Sequence, residues 1–141
     1  MTVLAPKMLV KEIAELCENF QIGMFSGNGT DRTIFVGTMP ETIEEGIILI
    51  EVPSPPPHEY IDTEYTVIDF WARSGHTDRA HALLELVYNN FHRRYGYTTK
   101  NWTIYFSKAL GSIVDVDRDR EGGKLLRLSV QFICRNLNNI S

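Results

Sequence analysis

"DTEYTVIDFWARSGHTDRAHALLELVYNNF", residues 62–91, changes its hydrophobic period half-way along, and that change decides the fold. Over 62–73 the residues alternate. Thr66, Ile68, Phe70 and Ala72 share one face and Tyr65, Val67, Asp69, Trp71 and Arg73 the other, which predicts a strand. Over roughly 77–95 the apolar residues Ala80, Leu83, Leu84, Val87, Tyr88 and Phe91 form a stripe at helical spacing. The junction between them reads as a helix start: Gly75 makes the bend, Ser74 or Thr77 caps, and Asp78 complements the positive helix end. His92, Arg93 and Arg94 complement the negative end, and Gly96 stops the helix. A catalytic reading would use Ser74, His76 and Asp78, but triads are built in space, and the stretch lacks the GxSxG elbow. The junction belongs to a scaffold.

Working outward, residues 6–20 place Leu9, Ile13, Leu16 and Phe20 on one helical face, with Pro6 in the first turn. The stretch from Gly23 to Asp31 is turn chemistry. Strands are expected near 32–37 and 46–52, the second covered on both faces because Ile47 to Ile50 are all apolar. Four prolines in the five positions 53–57 cannot join a sheet ladder and predict an extended connector. Its alternative role is a docking arm for a neighbouring subunit, which makes Pro55, Pro56 and Pro57 candidate contact residues. After the second helix come a strand at 101–107, a polar hairpin tip, and a strand at 124–135. In that last strand Leu126, Leu128, Val130, Phe132 and Cys134 alternate with Arg127, Ser129, Gln131 and Arg135.

The expected fold is α+β: a mixed, mainly antiparallel sheet of about five strands packed against two helices as a two-layer sandwich, in one domain spanning 1–141. The face of 62–73 that mixes Tyr65 and Trp71 with Asp69 and Arg73 is expected to be half covered by something else, such as another chain.

Composition narrows the function. A net charge of −4 lacks the basic footprint of a dedicated nucleic-acid binder. Cys17 and Cys134 have no CxxC spacing, so neither a zinc site nor a disulfide framework is supported, and both are expected as buried thiols in a reducing cytoplasm. No signal peptide and no stretch approaching about 18 apolar residues is visible, so no membrane role is expected.

"DVDRDREGG", residues 115–123, sets Asp115, Asp117 and Asp119 at alternate positions, like the first ligands of a calcium loop. The match fails where glycine and glutamate are required, at Arg120 and Leu126, and Arg118 and Arg120 repel a cation. The segment reads as a charged hairpin tip closed by Gly122 and Gly123. His58, His76, His81 and His92 contain no metal-binding pair, and no phosphate-binding loop is present. A hydrolase built on Asp69, Asp115, Asp117 and Glu121 would depart from known ligand sets. No catalytic residue, metal or cofactor is expected.

The strand ending in "WARSGHTDRAHALLELVYNNF" and the later "DVDRDREGGKLLRLSVQFICRN" resemble the tail terminator and minor capsid proteins of long-tailed bacteriophages, chiefly over 62–136. The resemblance implies a small non-enzymatic virion subunit, assembled in the host cytoplasm. It forms a ring with itself, usually a hexamer, that caps the head-proximal end of the tail tube and stops its growth. Its implied partners are the tail tube protein and a head-completion or neck protein, with genomic DNA passing through the channel without specific binding. The alternatives are another neck or head-completion ring, or a monomeric peptide-binding module. Candidate contact residues under this reading are Pro55, Pro56, Pro57, Tyr65, Asp69, Trp71, Arg73, Asp115, Asp117, Arg118, Asp119 and Arg120.

Overall fold

The computed structural model describes residues 8–25, 32–39, 43, 45–52, 63–118 and 124–137, with only the backbone of Asp117 and Arg118. In chain order these form α1 (Leu9–Asn19), β1 (Ile34–Val36), β2 (Gly46–Val52), β3 (Glu64–Ser74), α2 (Thr77–Phe91), β4 (Arg94–Thr98), β5 (Trp102–Ala109), β6 (Val114–Arg118) and β7 (Lys124–Asn136). The strands make one sheet in the order β1-β2-β3-β7-β5-β4, and β6 also pairs with β7. Only β1 and β2 run parallel; the other pairings are antiparallel. This is the α+β sandwich that the periods predict, with seven strands where about five are expected.

The alternation in the sequence is the alternation in burial. Along β3, Thr66, Ile68, Phe70, Ala72 and Ser74 are buried, and along β7, Leu126, Leu128, Val130, Phe132, Cys134 and Asn136 are buried. Eleven residue pairs, from Glu64 with Cys134 to Ser74 with Lys124, hold the two strands in register, so both apolar sets face one side. That side receives α1 and α2. Leu9, Val10, Ile13, Ala14 and Cys17 pack from α1, and Ala80, Leu84, Val87 and Phe91 from α2. Phe91 is the aromatic hub, with ring centroids 5.6 Å from Phe20, 5.8 Å from Phe70 and 5.6 Å from Phe132.

Three expectations need correction. First, α2 stops at Phe91 rather than near 95, and no basic residue lies in its last turn. Arg93 turns the chain with a left-handed φ of 54°, and the following residues become β4. The helix end is closed by side chains: Tyr97 Oη donates to Ser107 Oγ at 2.7 Å, which donates to the Phe91 carbonyl at 2.7 Å. Arg94 Nη1 donates to the Asn90 carbonyl at 3.4 Å, so this residue serves the helix end from outside it. Gly96 sits inside β4 at φ 58°, opposite the β5 irregularity between Ile104 and Phe106.

Second, the cap of α2 is His76, which makes no side-chain cap bond. Ser74 Oγ accepts the His76 N–H at 3.1 Å and donates to Glu45 at 2.8 Å, so the buried serine ties the bend to the connection before β2. Third, β2 is not covered on both faces. Ile47 and Leu49 are buried, but Ile48 is half-buried and Ile50 is 38% exposed, because both helices lie on the other side.

A buried carboxylate joins α1 to the far end of the strand order. Glu12 is 5% exposed. It accepts the Asn101 N–H at 2.6 Å, Asn101 Nδ2 at 3.0 Å and Thr99 Oγ1 at 2.8 Å, all in the turn between β4 and β5. Close approach matters at Gly46, where a Cβ would lie 2.6 Å from the Thr33 carbonyl oxygen.

Candidate functional site

The helices cover one face of the sheet and leave the other without a second layer among the described residues. The register determines what that face presents. Ile48 pairs with Trp71, Ile50 with Asp69 and Val52 with Val67 across β2 and β3. Tyr65 pairs with Ile133, Trp71 with Arg127, and Arg73 with Leu125 across β3 and β7. On β5 and β4, Thr103 lies beside Arg135, Lys108 beside Gln131, Phe106 beside Ile133 and Tyr95 beside Phe106. These side chains are half-buried or exposed, reaching 58% at Tyr65 and 71% at Tyr95. An apolar and aromatic belt with no cover is the feature that marks interaction surfaces.

Local contacts pre-arrange this face. The Arg127 guanidinium lies 5.5 Å from the Trp71 ring centroid, and the rings of Tyr95 and Phe106 stack at 4.5 Å. Ser129 Oγ donates to Asp69 Oδ1 at 2.5 Å, and Arg73 Nη1 donates to the Ile43 carbonyl at 3.3 Å. The indole N–H of Trp71 is buried and finds no acceptor among the described residues. Among the described side chains this face carries Arg73, Lys108, Arg127 and Arg135 and one carboxylate, Asp69, although the chain as a whole carries −4.

Of the sequence-predicted contact residues, the fold brings Tyr65, Asp69, Trp71 and Arg73 together on this face. Asp115 lies elsewhere. It pairs with Leu126, whose side chain faces the helices, and it meets Lys124 at 3.6 Å. The backbone of Asp117 and Arg118 continues β6 against Leu125 and Lys124. Pro55, Pro56, Pro57, Asp119 and Arg120 lie outside the described residues, as do His58, Glu121 and the Gly122-Gly123 pair. The hydrolase set is therefore not assembled by the described part of the fold: Asp69 and Asp115 sit on opposite faces of the sheet, with β7 between their strands. Among the described residues no group of three metal-ligating side chains converges. Cys17 and Cys134 are free and buried. Burial pushes the Cys17 thiol well above its ordinary value and Cys134 up to about 12, with Glu64 and Glu51 adding to the second shift.

The face also holds residues the periodic reading left unassigned. Tyr95 was hidden because 92–95 reads as the tail of the helix; the alternation of Tyr95 and Tyr97 around Gly96 is the signal of the strand. Arg127 and Arg135 are legible as the polar side of the last strand, but only the pairing of Trp71 with Arg127 unites them with the aromatics.

A groove between α2 and the residues after β5 is lined by His81, Glu85, Tyr88, His92, Gly111 and Ile113. His92 Nδ1 accepts the Ala109 N–H at 3.1 Å and its ring stacks on Tyr88 at 4.4 Å, so its side chain is used in packing.

Comparison with known families decides the class. A family model described as bacteriophage tail terminator protein matches residues 26–136, most of the chain. The chain belongs to this tail terminator family. The matched span runs from before β1 to the end of β7, so it includes the whole uncovered face. The family is one of structural phage-tail proteins, which gives this terminator a structural role in the virion and interactions with other phage proteins. Among the described residues no helix is long and apolar enough to cross a membrane. No curated protein matches the sequence.

Proposed function

We propose that this terminator closes into a ring of its own copies, six in number, on the head-proximal end of the tail tube. The ring ends tube polymerisation and offers a joining surface to a head-completion or neck protein, while DNA passes through its channel without specific binding. The whole chain 1–141 acts as one domain. The subunit works without a cofactor and without catalysis; its mechanism is geometric. A heterologous contact repeated around an axis uses up both complementary patches of each copy, leaving no free copy of the same contact for further growth.

The observation that supports this reading most directly is the sheet face where, among the described residues, Trp71, Tyr65, Ile50, Phe106 and Tyr95 stand without a second layer. A monomer would leave this belt in water; a ring covers it between subunits. The hairpin leading from β6 to β7, with Asp115, Asp117, Arg118, Asp119 and Arg120, is assigned to the same assembly as a charged contact with the tube or neck.

The test is native mass against concentration, with and without magnesium, followed by addition of purified tail tubes. A discrete six-fold mass, or binding confined to tube ends with arrest of elongation, is the expected result. A monomer at every concentration that also ignores tube ends defeats the reading and favours a monomeric peptide-binding module.

A further inference from the structure

The uncovered face and one stretch of the sequence are electrostatic opposites. Among the described side chains, the face sets Arg73, Lys108, Arg127 and Arg135 around its aromatics and one carboxylate, Asp69. From Thr33 to Ala72, in contrast, the sequence contains no lysine or arginine and eight carboxylates. Within that stretch, 51–64 reads "EVPSPPPHEYIDTE": Glu59 and Asp62 follow the run of prolines, between Glu51 near the end of β2 and Glu64 at the start of β3. Its ends are fixed by the fold. Val52 closes β2 opposite Val67, and Glu64 opens β3, so the connection leaves and re-enters the sheet at one end.

We propose that this acidic, proline-rich connection of one copy docks on the basic aromatic face of the next. The inference rests on the ring reading and names the contact that closes the ring. Three physical arguments select this occupant. Opposite charge draws the two surfaces together and suppresses the like-charged alternative of face on face. Proline-rich segments are recognised by aromatic surfaces, because their backbone is already extended and loses little entropy on docking. Here Trp71 under Arg127, Tyr65, and the Tyr95–Phe106 stack provide that surface. Finally, consecutive prolines extend by about 3.1 Å per residue and resist folding back. A stretch of this composition is suited to reaching a neighbouring copy. Each copy then carries one arm and one face, the two unlike patches that a closed heterologous ring requires.

The test is a charge swap in the full-length chain. In one variant the face is reversed, Lys108→Glu with Arg127→Glu. In the other the arm is reversed, Glu59→Lys with Asp62→Lys. Each variant alone sets like charge against like and is expected to be monomeric where the wild type assembles. An equimolar mixture sets every arm against an opposite face and is expected to restore the assembly as an alternating ring. Circular dichroism of each variant separates lost contact from lost fold; Lys108→Gln with Arg127→Gln replaces a face variant that fails to fold, and Glu59→Gln with Asp62→Gln an arm variant that does.

A second readout does not depend on ring formation. A synthetic peptide of residues 51–64, titrated against the wild type by tryptophan fluorescence, is expected to bind with an affinity that falls with salt. Binding should be about tenfold weaker to the face-reversed variant. Assembly of both variants like the wild type overturns the arm contact and leaves the ring reading intact. A mixture of folded variants that stays monomeric also overturns it. If the wild type is itself monomeric and ignores tube ends, the ring reading fails, and the peptide titration alone decides the docking. A short DNA duplex that binds through Lys108 and Arg127 where the peptide does not also overturns it, and assigns the face to nucleic acid.

Discussion

Replacing Glu12 with alanine removes a buried carboxylate that three donors share, and the cost follows from where each donor can go afterwards. The Asn101 N–H, 2.6 Å from Glu12, is fixed in the turn between β4 and β5 and cannot rotate to water. Stranding such a group costs about 1–3 kcal/mol. Thr99 Oγ1 and Asn101 Nδ2 are side-chain donors that can turn outward, so each loses only its net bond, near 1 kcal/mol or somewhat less. Glu12→Ala should therefore destabilise by about 2–4 kcal/mol. Glu12→Gln should behave differently. Its carbonyl can keep Thr99 Oγ1 and the Asn101 N–H, and its new NH₂ can donate to the Asn101 amide once that group flips. The loss is then the charge assistance alone, about 1 kcal/mol. Urea unfolding followed by tryptophan fluorescence resolves the two, since an m-value of about 2 kcal/mol/M turns the alanine cost into a midpoint shift of about 1–2 M. Equal losses for the two variants, or an alanine loss below about 0.5 kcal/mol, would show that α1 is held by its apolar face and not by this clasp.

Phe91→Ala should cost about 3–5 kcal/mol by the same assay, because it empties the point where the rings of Phe20, Phe70 and Phe132 meet. Cys17 and Cys134 should resist a thiol reagent at pH 8 in the native protein and react only on unfolding, since burial disfavours both thiolates; prompt native labelling of either would contradict their placement. Burial, with Glu51 beside it, raises the Glu64 carboxyl above the ordinary carboxylate range. The folded state then resists its ionisation, so this group costs stability as pH rises above its unfolded value. Glu64→Gln should accordingly raise the melting temperature at pH 7 and lose that advantage in acid, where the wild-type group is protonated. Asp117→Ala with Asp119→Ala should leave circular dichroism and melting unchanged and impair assembly on tubes; normal assembly would remove the tip from the contact.

What was legible in the sequence follows from the range of the interactions that write it. Single-element periodicity is local, so β2, β3 and β7 were readable nearly to the residue, and α1 apart from its start, which is Leu9 rather than the expected turn at Pro6. The end of α2 was not, because it depends on Ser107 and Tyr97 reaching back to the Phe91 carbonyl from strands that follow it. β6 was hidden for a related reason: its alternating acids and bases resemble a solvated tip until the partner strand β7 is supplied. The candidate face was half visible. Tyr65, Asp69, Trp71 and Arg73 share one strand and one parity, whereas Arg127, Lys108 and Tyr95 join them only through pairings between distant segments. The clasp by Glu12 carried no sequence signal, since a glutamate at its position on a helix is indistinguishable from a solvated one.

The place of β7 in the sheet also sets how the chain must fold. Follow the polypeptide as it emerges: β1, β2 and β3 can pair early, and β4 can pair with β5, yet nothing in the ladder joins these two ribbons until β7 arrives between them. The Cys134 thiol then meets the Glu64 carbonyl across 70 residues of sequence. Such late, non-local closure predicts slow folding, with relaxation in the millisecond-to-second range. Until closure, β3 and β5 each expose an unpaired edge to other chains. Lower expression temperature should accordingly raise the yield of soluble subunits. A polypeptide interrupted before Lys124 is two unjoined ribbons rather than a shorter version of the protein.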